Sequence, residues 1–570
     1  MILSRPYPWE KSYPAGIQWD APVAGGTIND LFARAVKNFS DNPALEYRDR
    51  TISYRDFGAK VDRAAAGLMS LGVKPGSSVA LYLPNTPVHP ICFFAILKAG
   101  GRVVHLSPLD AERELAYKLK DSGARILVTT NFPGMVKRAL VLDGQGLLDH
   151  LIVGDDTEFG PASIAYDEIP ANGRSMTLKQ LLSLSPPPAQ WPVVKEDDIA
   201  LLQYTGGTTG LPKGAMLLHR NLTSTNSIYK NWAAAQRTPV SGEKVIVALP
   251  LFHIYALSSV FLRAMDQGNQ CFLRPKFDVA TTLHDIEVKR ANYFPGVPTM
   301  WIALAAVPDL EARDLTSLNY CASGGAPLPV EVGERFKKIT GLSLRGGWGM
   351  TETAPAGTNL PLEGEVPAGT IGLPLPGLVM DIVALDDPTK LMAANQIGEM
   401  RIKGPNVFAG YWNKPEETKA SFVDDGYFLT GDIGYMDENG FLFLVDRKKD
   451  MIISGGFNVY PRAIEEAIYE HPDVEGVIVI GIPDDYRGEA AKAFIKMRAG
   501  KAPLTLDAVR EFLQTRVGKH EMPTAIEIRD TLPQTSVGKL SKKELVEEER
   551  RKYQAMKEQK SSSTAVGANR

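Results

Sequence analysis

Short apolar runs alternate with longer apolar or amphipathic stretches through the first half of the chain, and each run has the length of one element. VALYLP (79–84) predicts a strand, PICFFAILKAG (90–100) a helix and RVVHL (102–106) a second strand. ARILVTT (124–130), HLIVGD (150–155) and IALLQY (199–204) continue the series, which predicts an α/β fold. After Gly372 the rhythm changes to short strands set among Gly and Pro, including MDIVAL (380–385) and GEMRIKG (398–404). This predicts a smaller β-rich subdomain ending near Asp446.

A third pattern follows. MIIS (451–454) reads as a strand and PRAIEEAIYEHP (461–472) as a helix, with Ile464 and Ile468 on one face and Pro461 in the first turn, where a backbone N–H is not needed. VEGVIVIGI, AAKAFIKM, the helix-like LDAVREFLQTRV and the strand-like AIEIRD complete a compact α+β module. Residues 1–448 are thus expected to form a large N-terminal domain and 449–556 a small C-terminal one, with the boundary inside 447–450. The Lys- and Glu-rich end closes in SSSTAVGANR, too poor in apolar residues to pack, so 557–570 is expected to be a disordered tail.

Composition narrows the function classes. A chain of 570 residues exceeds one core and implies at least two domains. Lys plus Arg total 63 and Asp plus Glu 66, and a net charge of -3 supplies no general attraction to nucleic acid or an anionic membrane. Cys92, Cys271 and Cys321 are far apart, with no C-x-x-C spacing, which fits a reducing cytoplasm and excludes a disulfide framework or a zinc site built on paired cysteines. The N-terminal MILSRPYPWEKSYPAG lacks the apolar core of a secretory signal, so export is not expected. The most apolar stretch, 248–265, contains Pro250, His253 and Arg263, and reads as a buried strand and helix rather than a membrane span; peripheral membrane contact stays open.

The densest candidate chemistry lies in YTGGTTGLPKG (204–214), directly after a strand-like run. Glycines let backbone N–H groups converge on an anion, and threonine hydroxyls and a lysine add donors and charge, as a polyphosphate requires. It is not the nucleotide-hydrolase P-loop, because Pro212 precedes Lys213 where that loop needs Gly. A flexible surface loop is the competing reading.

Four further stretches decide between them: ASGGAPLP (322–329), GWGMTET (347–353), TGDIGYMDENGFLFLVDRKKD (430–450) and PQTSVGK (533–539). In this order, over roughly residues 28 to 545, they resemble the adenylate-forming acyl-CoA synthetase and luciferase superfamily. Gly207 within YTGGTTG, together with LPLFHIYAL and VDRKKDMIISGGFNVYP, looks most like bacterial fatty-acyl-CoA synthetases. The resemblance implies two half-reactions: a carboxylate attacks the α-phosphorus of ATP, releasing pyrophosphate, and the thiol of coenzyme A then displaces AMP. Phosphoryl transfer of this kind rests on positioning and charge stabilisation.

It also implies roles. Thr205, Gly206, Gly207, Thr208, Thr209 and Lys213 would cradle the leaving pyrophosphate, Thr351 would donate to the α-phosphate, and Glu352 would hold Mg²⁺, although TET alone also suits a helix start. Gly324, Gly325 and Ala326 would cradle adenine, with Gly347, Trp348 and Gly349 in the nucleotide-binding motif. Asp432 would take the ribose hydroxyls with Arg447 beside it. Lys539 would bridge the carboxylate and α-phosphate, then withdraw as a mobile C-terminal domain turns about a hinge at Lys449, leaving Ser454, Gly455 and Gly456 to line the pantetheine tunnel. His253 falls beside the carboxylate and thiol path; a core histidine bonded to backbone competes. Trp301 and Trp348 are candidate acyl-pocket walls, against a core role. Lys539 also matches the site at which relatives are switched off by a protein lysine acetyltransferase.

The reading is an ATP-dependent carboxylic acid:CoA ligase for a medium- or long-chain aliphatic acid. Gly346, where many fatty-acyl relatives carry Glu or Gln, leaves dicarboxylic and aryl acids open, and Arg345 would meet a second carboxylate unless strand alternation turns it outward. A peptide-synthetase domain would carry FDxS where this chain has FHIY. Luciferase-type activity uses the same adenylation parts and remains an alternative.

Overall fold

The computed structural model describes residues 4–171, 173–205, 211–234, 236, 240–325, 330–362, 364–455, 457–484, 487–535 and 540–567. Among these, two seven-stranded sheets build the α/β part. In the first, Ser175–Thr177, His150–Gly154, Ile126–Thr130, Ser78–Tyr82, Arg102–Leu106 and Ile199–Thr205 run parallel, and Lys213–Leu218 closes the edge antiparallel. The second runs Leu344–Gly346, Tyr320–Ser323, Tyr293–Gly296, Lys244–Val247, Gln270–Leu273 and Pro43–Tyr47 in parallel, ending in the antiparallel Arg50–Ser53. Parallel strands covered on both faces read as unbroken apolar runs, which is why the sequence announces them. The helix Val88–Lys98 has nearly every residue buried, including His89, and joins the largest core cluster.

The third sheet is antiparallel and β-rich, as expected, with Thr358–Asn359, Thr370–Pro374, Leu442–Arg447, Tyr427–Met436, Gly398–Lys403 and Val379–Val383 in order. It begins before Gly372, since Thr358–Asn359 and Thr370–Pro374 already belong to it. The small C-terminal domain has its own five-stranded sheet and a separate core containing Ile464 and Ile468, with helices Pro461–Tyr469 and Leu506–Leu513.

Two elements differ from the sequence reading. Within 248–265 the strand ends early, at Val247, and Pro250 sits in a buried linker; the following helix, Tyr255–Leu262, is wound as a π-helix before continuing as Arg263–Asp266. The last helix, Lys543–Gly567, continues through most of the segment read as a tail, with Lys552 paired to Glu548 at 2.6 Å in the i,i+4 geometry that supports an exposed helix. Among the described residues no helix is long and apolar enough to cross a membrane.

Candidate nucleotide and acid site

Strand ends and the turns after them deliver the candidate residues. Thr205 ends its strand and Lys213 opens the next, paired in register, so the glycine-rich loop closes a hairpin; Gly206, Gly207, Thr208 and Thr209 lie outside the described residues. The Thr205 hydroxyl donates to the Lys213 carbonyl at 3.4 Å. Lys213 Nζ stands 5.2 Å from the ring centroid of Tyr411, and the Tyr411 hydroxyl donates to Glu352 Oε1 at 2.8 Å. Glu352 is buried in the single turn Thr351–Thr353. That turn is fixed from below: Asn406 Nδ2 donates to the carbonyls of Thr353 and Ala356 (2.6 and 2.7 Å), and Phe408 N–H to that of Glu352 (2.8 Å).

On the other side of the turn, Trp348 Nε1 donates to Asp432 Oδ2 at 2.7 Å, and Arg447 Nε stands 3.2 Å from Asp432 Oδ1. Asp432 and Arg447 are cross-strand partners in the β-rich sheet. The glycines flanking Trp348 allow this approach: a Cβ at Gly347 would stand 2.0 Å from the Thr358 carbonyl, and one at Gly349 1.7 Å from that of Pro355. Trp348 therefore turns its indole N–H toward Asp432. Trp301 is fully buried against Phe294 and Phe336, and its indole N–H donates to the Ala322 carbonyl at 3.1 Å, so it is a core residue that braces the strand leading to Gly324 and Gly325. Gly325 adopts φ +77°, while a Cβ at Gly324 would meet the Tyr255 ring at 2.8 Å. Ala326 lies outside the described residues.

The linker carrying His253 is clamped from the first sheet. Asn85 donates to the carbonyls of Val247 and Leu249 and accepts from Leu251 N–H, and Gln203 Nε2 donates to the Phe252 carbonyl at 2.9 Å. His253 is partly buried, and its Nδ1 accepts from the Tyr255 N–H at 3.3 Å.

An AMP-binding enzyme family model matches residues 32–412, and an AMP-binding enzyme C-terminal domain model matches 463–539. The chain belongs to the AMP-binding enzyme family. It is 36% identical to a long-chain-fatty-acid–CoA ligase of Bacillus subtilis, covering 95% of this chain and 98% of that one. It is also 36% identical to a feruloyl-CoA synthase of Amycolatopsis sp, covering 88% and 95%. The ATP-bound MatB of Rhodopseudomonas palustris superposes with a TM-score of 0.81 at 29% identity, over 91% of this chain and 98% of that one. This AMP-binding enzyme is an ATP-dependent, AMP-forming acid–thiol ligase that uses ATP, Mg²⁺ and coenzyme A.

Electrostatics of the candidate site follow from burial. Desolvation pushes the Glu352 and Asp432 carboxyls up; Tyr411 opposes this at Glu352, and Arg447 and Trp348 oppose it at Asp432. A buried carboxylate such as Glu352 suits a hard divalent cation, which prefers oxygen ligands. Lys449 is exposed and follows the third sheet directly, near enough for its charge to act on Asp432. Ser454 and Gly455 form the turn of the C-terminal hairpin; Gly456 and Lys539 lie outside the described residues. Sequence reasoning missed Tyr411, Asn406, Asn85 and Gln203. An aromatic pair, Tyr411–Trp412, in a Gly- and Asn-rich loop was the available signal for the first.

Proposed function

We propose that the chain converts a medium- or long-chain aliphatic acid to its CoA thioester through an acyl-adenylate. The observation carrying the nucleotide part is that Lys213, Tyr411 and Glu352 on one side of the 347–353 turn and Trp348, Asp432 and Arg447 on the other make two polar clusters spaced along one segment, as a polyphosphate and a ribose require. On this reading Thr205, Gly206, Gly207, Thr208, Thr209 and Lys213 take the leaving pyrophosphate. Thr351 donates to the α-phosphate, Gly324 to Ala326 seat the adenine, and Asp432 with Arg447 holds the ribose. Glu352 would hold Mg²⁺, which when bound neutralises phosphate charge. His253 presents its ring beside the carboxylate. Lys539 bridges the reacting atoms, and rotation of residues 449–556 about Lys449 exchanges it for the Ser454 to Gly456 turn and the pantetheine thiol.

The aliphatic substrate is supported by the likeness to the Bacillus subtilis ligase over nearly the full length of both chains. The feruloyl-CoA synthase likeness favours a second reading, an aryl acid. AMP release measured with a panel of fatty, dicarboxylic and aryl acids, each with ATP, Mg²⁺ and coenzyme A, separates them, and no turnover of any aliphatic acid defeats the first. A cytoplasmic location is supported by three buried, unpaired thiols. Acetylation of Lys539 would remove the bridging charge, and mass spectrometry of the cellular protein tests for it.

A further inference from the structure

A pocket, about 550 Å³ of space when the open solvent at its mouth is included, lies against the π-helix and one face of the second sheet. Register decides what faces it. Val245 pairs with Tyr293 and Tyr293 with Tyr320, and all three line the cavity. Ala322, two residues past Tyr320, shares their face and pairs with Arg345, so Arg345 is on the cavity side of the sheet. Ile246, Phe294 and Cys321 alternate to the opposite face, into the core around Trp301. The outward orientation of Arg345 that the sequence left open is therefore excluded.

Arg263, just past the π-helix, also lines the cavity, with its guanidinium carbon 5.5 Å from the centroid of the Tyr229 ring. Among the described residues neither Arg263 nor Arg345 has a carboxylate within ion-pair distance, and Nε of Arg345 is buried with no hydrogen-bond partner. Buried arginines elsewhere are paired: Arg274 meets Asp285 at 2.7 Å, and Arg401 meets Asp381. Glu243 lines the same cavity but accepts from Asn319 at 3.2 Å. Trp232 Nε1, a further donor in the lining, is also unpartnered. The lining also holds an unpartnered acceptor, Asn359 Oδ1, but a guanidinium drawn partly out of water without a counter-charge is costly unless a ligand supplies one.

Arg345, level with Ala322, lies two residues before the Gly324 turn, roughly 7 Å at about 3.3 Å per residue, and Arg263 lies ten residues beyond His253, past the π-helix. We infer that the acid activated here is an α,ω-dicarboxylic acid, whose distal carboxylate is received by Arg263 and Arg345. This rests on the aliphatic-acid ligase reading and names its substrate class.

The test compares matched linear mono- and dicarboxylic acids, with the monomethyl esters of the diacids as a third series, reading kcat/KM for AMP release by the full-length protein with ATP, Mg²⁺ and coenzyme A. At the chain lengths turned over best, diacids should exceed monoacids and half-esters by at least about tenfold. Arg263→Met and Arg345→Met should each lower diacid kcat/KM by about 10- to 100-fold, mainly through KM, and move the diacid-to-monoacid ratio toward one; the Arg→Lys variants should recover part of it. Monoacids or half-esters matching the diacids in the unmutated protein would overturn the inference without any variant having to fold, as would a diacid preference that survives both methionine substitutions. Failure to turn over any acid would instead overturn the ligase reading.

Discussion

Tyr411 joins two groups that the sequence separates: its hydroxyl donates to Glu352 and its ring faces Lys213. A hydrogen bond to a buried carboxylate contributes about 1.5–3 kcal/mol, and losing it leaves Glu352 less well held at the position proposed for the cation. Tyr411→Phe keeps the ring under Lys213 and removes the hydroxyl alone. The expected result is a loss of about tenfold or more in adenylation, with half-saturation by Mg²⁺ moved to higher concentration, read by pyrophosphate exchange across a Mg²⁺ titration. A Mg²⁺ curve identical to that of the unmutated protein would count against Glu352 as the ligand. The same residue shows what a single chain position cannot announce, since the Tyr411–Glu352 bond spans 59 residues and the Trp348–Asp432 bond 84.

At the scale of elements, His219 ties two helices: its Nδ1 accepts the N–H of Ile28, the first residue of a helix already capped by Thr27 and Asp30. Burial lowers its pKa from the ordinary 6.5 to about 4. The folded protein therefore refuses a proton that the unfolded chain accepts, so the contribution is complete above pH 6.5 and is lost as pH falls toward 4. The full window corresponds to stability on the order of 3 kcal/mol. Urea denaturation at neutral pH and near the lower limit should show His219→Gln less stable than the parent at neutrality and less sensitive to acid; equal acid sensitivity in both proteins would exclude this group as a source. Elements of this kind were legible where one physical pattern governs them. VALYLP and RVVHL form strands because a parallel sheet buried on both faces needs continuous apolar runs, and Pro461 sits in the first turn of its helix. The π-winding of Tyr255–Leu262 was not legible, because its apolar residues fit several helical periods, and the long final helix packs only its start, at Leu545 and Val546, before continuing on charge pairs such as Lys552–Glu548. At the site, turns and charged side chains stood out as motifs. The residues that hold those turns, Asn85, Asn406 and Gln203, are single polar side chains whose partners become neighbours only on folding.

For the whole molecule, the junction between the β-rich sheet and the C-terminal domain has fixed and free parts. Lys448 is held by its N–H on the Gly431 carbonyl and by Nζ on Glu399 Oε2, both at 2.8 Å, and Asp446 accepts the N–H of Arg462, in the first turn of the C-terminal helix, at 2.8 Å. Between these anchors Lys449 is exposed, so a backbone rotation there would disturb less packing than one at either neighbour. A proposed two-pose cycle about Lys449 predicts opposite phenotypes on its two sides. Lys539→Ala should lower adenylation by at least about 10²-fold, because a charge donor at the reacting phosphorus is gone, while thioesterification of supplied acyl-adenylate keeps its rate. Lys449→Pro should do the reverse, since proline fixes φ near −65° and would hold one pose: adenylation persists and thioester formation fails. Both rates can be followed separately, by pyrophosphate exchange and by thioester release from a synthetic adenylate. Equal losses in the two half-reactions for either variant would mean that one fixed arrangement serves both steps, and the hinge would have to be abandoned.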